Sequence, residues 1–574
     1  MRVYSYTVPF RLAAVILLSA SALFGSDTIL VHGHIYTGNP KAPWAQALAI
    51  AGTRIDAVGS DQEILTLRSA NTEVIDLEGR TVVPGFSDSH THMWFAALEL
   101  HGLNLSTPEA SITPEDDPEA VVSRIKAYAA SHPNDKVLFV RADFSTTPPS
   151  TPTHQLLDRA VADRPVVVHY TAEHALWLNA KALALAGITD QTVADPAEEK
   201  YIIRDASGHP SGILMEAAMQ IMERALDNQF SLEENLALLR NASQHLNSYG
   251  ITSVTNASGS LAEIQLYAAL RDRGQLTVRT RTAFGAIGAA HHLTPEFLAD
   301  LEKARTLYHD DWVSANLVKF FADGGTGLIP PLMYQPAEYQ RLILELDKRG
   351  YQIMTHAYRI DTSQLVVDTY EEVEKINGPR DRRFRLEHAD FVPAADIPRL
   401  ARHSIIASMQ PTFCCAENGA NYDPRDRTTT DRWQSMEKAG VKLAFGSDWP
   451  CTWPPNPLVA IQEAVTRQIW RSPKGGDDFP GGVFDGAGQA GAVPTKDSYV
   501  PEERITVEQA VNAYTQGSAY ARFSEDRIGT LEPGKEADLA VLSQDIFSVK
   551  PEDIAKSKVV ITMVGGKVVF REEK

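Results

Sequence analysis

Cysteine is nearly absent: the 574 residues hold three, Cys414, Cys415 and Cys451. That is too few for a disulfide scaffold or for a zinc site of four thiolates, so any metal must be held mainly by other ligands. Positive charge is also in short supply, with 54 Lys and Arg against 73 Asp and Glu and a net charge of −19. This is the wrong sign for a surface that tracks phosphates, and no nucleic-acid partner is expected. The apolar run near the start, Leu12 to Phe24, spans 13 residues, short of the roughly 20 that cross a bilayer, so no stable transmembrane segment is expected in the mature chain. Arg2 and Arg11 precede the run and Ala20-Ser21-Ala22 follows within it. Together they read as a signal peptide over residues 1–22, which makes the protein an exported one, periplasmic or secreted.

What is present suits a folded enzyme. Hydrophobic residues at 44% and charged residues at 22% are ordinary for a globular chain, and the length exceeds what one core usually holds. Short β-branched runs with turns occupy residues 27–83, and strand-rich segments return over 526–574; the two ends are expected to form one small β-sandwich domain. Between them, over 84–525, lie eight apolar runs, seven of them ending in a polar or ionisable residue, and each precedes helical patterning. The runs are Val82 to His90, Ile251 to Asn256, Val278 to Phe284, Leu317 to Asp323, Gln352 to His356, Phe384 to His388, Ile405 to Gln410 and Lys442 to Asp448. The expected fold is therefore α/β, a (β/α)8 TIM-type barrel with its chemistry at the C-terminal strand ends. About 150 residues separate the first two runs, too many for a βα loop. They mark an insertion over about 104–240 with its own strand and helices, expected to form a lid or wall over the site. Residues 475–494, with seven glycines, read as a flexible loop.

His90-Thr91-His92 ends the first run, and the period of two along a strand lets both imidazoles face one way. Alone the pair is weak; Lys319, His356, His388 and Asp448 at later strand ends strengthen it. The segments Val83-Pro-Gly-Phe-Ser-Asp-Ser-His-Thr-His, Val318-Lys-Phe-Phe-Ala-Asp-Gly, His356-Ala, Arg385-Leu-Glu-His-Ala, Phe445-Gly-Ser-Asp-Trp-Pro and Gly529-Thr-Leu-Glu-Pro-Gly-Lys-Glu-Ala-Asp resemble the metal-dependent amidohydrolase superfamily. More narrowly they are similar to its YtcJ-like branch, which includes N-substituted formamide deformylases. The resemblance implies two divalent transition-metal ions, zinc suiting the ligands best. His90 and His92 would bind one ion, His356 and His388 the other, and Lys319 would bridge them as a carbamate, because an ammonium has no lone pair. The other reading of Lys319 is a charged lysine paired with Asp323 or Asp448. Asp448 completes the implied site as general acid and base for a metal-activated water, with a structural carboxylate as its alternative.

Weaker candidates surround these. His174 lies in a segment resembling one of that branch and is a candidate substrate residue, or a capping or solvent-exposed histidine at a helix start. Arg204, Asp205 and Glu216 are expected to organise the insertion. Tyr358 and Trp449 are candidate substrate residues, and Arg467 a candidate pocket residue, with packing as the alternative for each. Asn256, where the branch has aspartate, and Tyr358-Arg359-Ile360 depart from the pattern around the pocket. Cys414-Cys415 and Cys451 follow neighbouring strands, so a bridge is conceivable, but separate thiols fit the demands of disulfide geometry better. The expected activity is hydrolysis of a carbon–nitrogen bond, other than a peptide bond, in an amide or formamide-like small molecule. An ester, lactone or carbamate substrate is the near alternative, and an inactive binding or regulatory barrel the distant one. The assembly state stays open, a homodimer among the candidates.

Overall fold

The computed structural model describes residues 26–106, 114, 117–146, 150–170, 173–191, 196–227, 229–287, 293–324, 332–413, 430–468, 470–471, 493–494, 496 and 498–573. The leader, Cys414, Cys415 and most of the glycine-rich stretch lie outside these residues. Eight strands form the central sheet: β1 (Phe86–Thr91), β2 (Ile251–Gly259), β3 (Arg279–Gly285), β4 (Val313–Phe321), β5 (Gln352–Ala357), β6 (Arg385–His388), β7 (Ile406–Met409) and β8 (Leu443–Phe445). They pair in chain order, all parallel. A parallel bridge from Thr91 to Trp449 brings the chain after β8 back to β1 and closes the barrel. Two of the helices between the strands begin at side-chain caps: Ser231 and Glu234 form a reciprocal box ahead of Leu232–Ser248, and Ser260 accepts from Glu263 N ahead of Leu261–Asp272. Such caps satisfy amides that have no partner within the helix.

Both chain ends build the β domain. In its larger sheet the C-terminal strand Leu539–Leu542 lies antiparallel to the N-terminal strand Thr81–Pro84. The smaller sheet comprises Thr28–Val31, Ala47–Ala51, Arg54–Gly59 and Glu73–Asp76. Side-chain alternation divides the work of the shared strands: Val82, Leu539 and Val541 pack in the sandwich core, whereas Val83, Ala540 and Leu542 pack in the barrel core. The run from Val82 to His90 is thus two strands rather than one. It breaks at Gly85, where a Cβ would come within 2.4 Å of the Thr252 side chain.

The insertion holds more sheet than its sequence suggests. Leu103–Asn104, Leu138–Ala142 and Val166–Tyr170 are parallel, and Ala175–Leu178, Pro210–Met215 and Ile202–Arg204 extend the sheet antiparallel. Its buried residues, Trp177 and Val168 among them, belong to the same core as the barrel. Among the described residues no helix is long and apolar enough to cross a membrane.

Candidate metal centre at the strand ends

The closure of the barrel assembles the site. Asp448 N donates to His90 O at 2.6 Å and His92 N donates to Trp449 O at 2.7 Å, so the loop after β8 is fastened to the end of β1. Asp448 Oδ1 consequently lies 3.1 Å from His92 Nε2 and 3.4 Å from His90 Nε2. These separations match the edge, about 3.3 Å, of a tetrahedron with metal–ligand arms of ~2.0–2.1 Å. Lys319 from β4 places Nζ 3.1 Å from His90 Nε2. His356 ends β5 and His388 ends β6, their rings 4.4 Å apart, and the His388 ring is 5.1 Å from that of His90. All six predicted residues therefore meet in one cluster.

Each of the four histidines is held through Nδ1: His90 by Glu387 at 2.5 Å, His92 by Ser258 Oγ at 2.9 Å, His356 by Asp323 at 2.7 Å and His388 by Gln410 Oε1 at 2.9 Å. With Nδ1 engaged, the Nε2 lone pairs are left for the cluster interior, an outer-shell arrangement that fixes imidazole tautomer and angle in metal sites. His388 Nε2 is buried without a hydrogen-bond partner, an orphan that a cation would satisfy. Glu387 is itself gripped by Arg385, at 2.7 Å to Oε1 and 2.9 Å to Oε2, and Arg385 also donates to Ser89 O.

Electrostatics keep the cluster in ligand form. Burial, then the charge of Lys319, lowers His90 to about 4, and burial holds His356 and His388 well below the ordinary imidazole value. Burial pushes Asp448 up, but His90 and His92 outweigh it, so its carboxylate stays well below the usual range. Burial also brings Lys319 down to about 8. Left-handed backbone at His388 (φ 69°), Ala389 (φ 55°) and Asp448 (φ 57°) marks strain of the kind that collects at functional sites. Three imidazoles held below their ordinary value, an ionised carboxylate and an orphaned buried nitrogen fit divalent transition metals.

The remaining predicted residues separate. Lys319 makes no ion pair with Asp323, because that carboxylate is committed to His356, to Tyr358 N and Arg359 N, and to Thr362 Oγ1. Tyr358 packs against His388 with ring centres 6.4 Å apart, at the rim of the cluster. His174 lies 5.6 Å from the His356 ring and is held by Glu216 at 3.0 Å. It lies immediately before the strand Ala175–Leu178, not at a helix start; the helix begins later, where Asn179 caps Ala180–Leu185. The Trp449 ring stacks on His245 and lies tilted against Trp453 with centres 5.9 Å apart, and its carbonyl accepts from His92 N. Arg467 is structural, donating to Tyr499 O and Asp431 O. Asp205 accepts from Ser207 N and His209 N in a turn, and Arg204 pairs with Glu199. Asn256 is fully buried and ties β2 to two helices rather than facing the pocket.

Sequence reasoning passed over Glu387 and Asp88. Asp88 accepts from Ser447 N at 3.0 Å, Ser447 Oγ at 2.5 Å and His90 N at 3.1 Å, joining β1 to the chain after β8. Both residues offered a signal: each lies two positions from another polar residue on the same strand face, Arg385 and His90, inside a barrel strand where apolar side chains are the rule.

A (β/α)8 barrel carrying four tethered histidines, a lysine and an aspartate at its C-terminal strand ends defines a hydrolase of the metal-binding type. The sequence pattern of the amidohydrolase family matches residues 73–570, and the chain belongs to that family, in its YtcJ-like branch. It is 27% identical to "Putative amidohydrolase YtcJ" of Bacillus subtilis, over 94% of this chain and 98% of that one. It is 26% identical to "N-substituted formamide deformylase" of Arthrobacter pascens, over 96% and 98%. The crystal structure of an uncharacterized metal-dependent hydrolase from Pyrococcus horikoshii shares the fold, with a TM-score of 0.68 at 20% identity over 91% of this chain and 99% of that one.

Proposed function

We propose that the chain hydrolyses a C–N bond, other than a peptide bond, in an amide or formamide-like small molecule. The observation that carries this reading is the convergence of four Nδ1-tethered imidazoles on the Asp448 carboxylate and Lys319. The similarity to a deformylase supports the choice of bond. His90 and His92 would hold one divalent ion and His356 and His388 a second, zinc by fit to imidazole and carboxylate, with Lys319 bridging as a carbamate. Lys319 near 8 keeps a neutral amine within reach of carbon dioxide, which an ammonium could not attack. Bound there, the ions supply Lewis acidity toward the carbonyl and a water made acidic near neutral pH. Asp448, ionised and beside both His90 and His92, takes the proton of the attacking water and returns it to the leaving nitrogen, which departs poorly as an anion. Tyr358 and His174 line the approach. Export rests on residues 1–22 alone and is proposed on that ground.

The test joins metal analysis to a panel of amides, formamides, esters, lactones and carbamates. Bound transition metal is expected, with turnover of a C–N substrate that chelation abolishes. Asp448→Asn should keep most metal and lose turnover by about 10²-fold or more, whereas His388→Ala should lose metal. Full activity in either variant would sink the assignment, and preference for an ester would move the substrate class.

A further inference from the structure

A second group of ligand-type side chains lies outside this centre. Glu99, from the helix Met93–His101, meets His169, at the end of the insertion strand Val166–Tyr170, and Glu173 just beyond it. His169 Nδ1 lies 3.3 Å from Glu99 Oε1 and 3.4 Å from Glu173 Oε2. The other two oxygens turn the opposite way, toward Arg141: Nη1 is 3.2 Å from Glu99 Oε2 and 3.6 Å from Glu173 Oε1. Glu99 and His169 are almost wholly buried, and Glu99 Oε1 has no hydrogen-bond partner.

We propose that Glu99, His169 and Glu173 form a further cation site, for one divalent transition-metal ion, that clamps the insertion to the first helix of the barrel. Two observations carry it beyond a cluster of like charges. The nitrogen–oxygen separations match the edge of about 3.3 Å expected when arms of ~2.0–2.1 Å radiate from a tetrahedral ion. Glu99 Oε1 is buried without a hydrogen-bond partner and is one of three ligand-type atoms that lie within 4.8 Å of one another, so a cation held among them would satisfy it. Charge agrees: two carboxylates against one guanidinium leave one negative charge in a buried space, and only a proton or a cation can balance it. Burial lifts Glu99 to about 8 and Glu173 to about 7, which is the desolvation that a bound cation would relieve. Arg141, on the outer oxygens, orients both carboxylates as an outer-shell donor. Imidazole with two carboxylates suits zinc, manganese or iron(II).

The site is separate from the catalytic centre in its residues, so its failure leaves the hydrolase reading untouched. Crystals of the full chain soaked in zinc, with data at the zinc edge, should show an anomalous peak among Glu99 Oε1, His169 Nδ1 and Glu173 Oε2, besides any at His90 and His92. Metal analysis of Glu99→Gln and His169→Asn should give one ion fewer per chain than the wild type. An empty position in the wild-type map, or unchanged metal content in two folded variants, would overturn the proposal and leave a proton-sharing ion cluster in its place.

Discussion

Asn256 solves a problem that an aspartate would create. Its Oδ1 accepts from Met93 N at 2.9 Å, capping the helix after β1 that His92 leaves without a side-chain cap, and its Nδ2 donates to Glu263 Oε1 at 3.0 Å. A carboxylate could accept from Met93 but offers no N–H to donate to Glu263 Oε1, the bond that Asn256 Nδ2 makes. Glu263 is buried, also accepts from Tyr267 Oη, and is lifted by burial from 4.5 to about 8. A carboxyl whose folded value is raised binds its proton more tightly in the native state, so its contribution is full below about pH 4.5 and is lost as pH rises toward 8. Glu263→Gln keeps an acceptor for both partners and removes the titration. Melting curves across that window should show the wild type losing up to about 1.4 kcal/mol per pH unit relative to the variant. Parallel curves would mean that Glu263 is not protonated in the native protein.

The weakest seam of the barrel is the contact of β8 with β1, since β8 has only three residues and one bridge, Thr91 to Trp449, continues the pairing. Gly446 makes that seam possible. A Cβ there would come within 2.5 Å of His90 N and 2.7 Å of Asp88 Oδ1, beside the Asp88 carboxylate that accepts from Ser447 N and the His90 carbonyl that accepts from Asp448 N. Gly446→Ala should push Asp448 away from His90 and His92, destabilise by about 1–3 kcal/mol and lower metal content together with turnover. A variant with wild-type metal content and melting temperature would show that the seam tolerates widening. The barrel strands were legible because strands buried on both faces read as apolar runs, and their polar last residues gave away the ligands. The tethers were not: Glu387, Ser258 and Gln410 reach their histidines from other strands, a relation that sequence spacing does not encode. In the insertion, Leu103–Asn104 and Ile202–Arg204 have two and three residues, too few for periodicity to register, and Ala175–Leu178 was hidden against the helix that follows it.

At the scale of the whole molecule, the β domain is joined to the barrel by charge as well as by shared strands. Arg279, opening β3, donates from Nε to Asp538 Oδ2 at 2.7 Å and from Nη2 to Asp538 Oδ1 at 3.1 Å and Glu536 Oε2 at 3.0 Å. Asp538 also accepts from Gly565 N, and its carbonyl accepts from Gly85 N, at the break between the sandwich and β1. The pairing of the two chain ends was readable from their strand patterns, but this junction was not, because Arg279 and Asp538 lie 259 positions apart. All three side chains are buried, so removing the cation takes away the ion-pair partner of Asp538 and leaves Glu536 with Arg54 alone, at 3.1 Å. Arg279→Met should therefore destabilise by about 3–5 kcal/mol, more than a surface pair could. Adding Glu536→Gln and Asp538→Asn removes the stranded charges and should restore over half of that loss in denaturant titration. A single substitution below about 1 kcal/mol would assign the junction to strand pairing and apolar packing alone. With the junction weakened, Gly85 and β1 lose their anchor first, so metal content at His90 and His92 should fall in Arg279→Met and return in the triple variant.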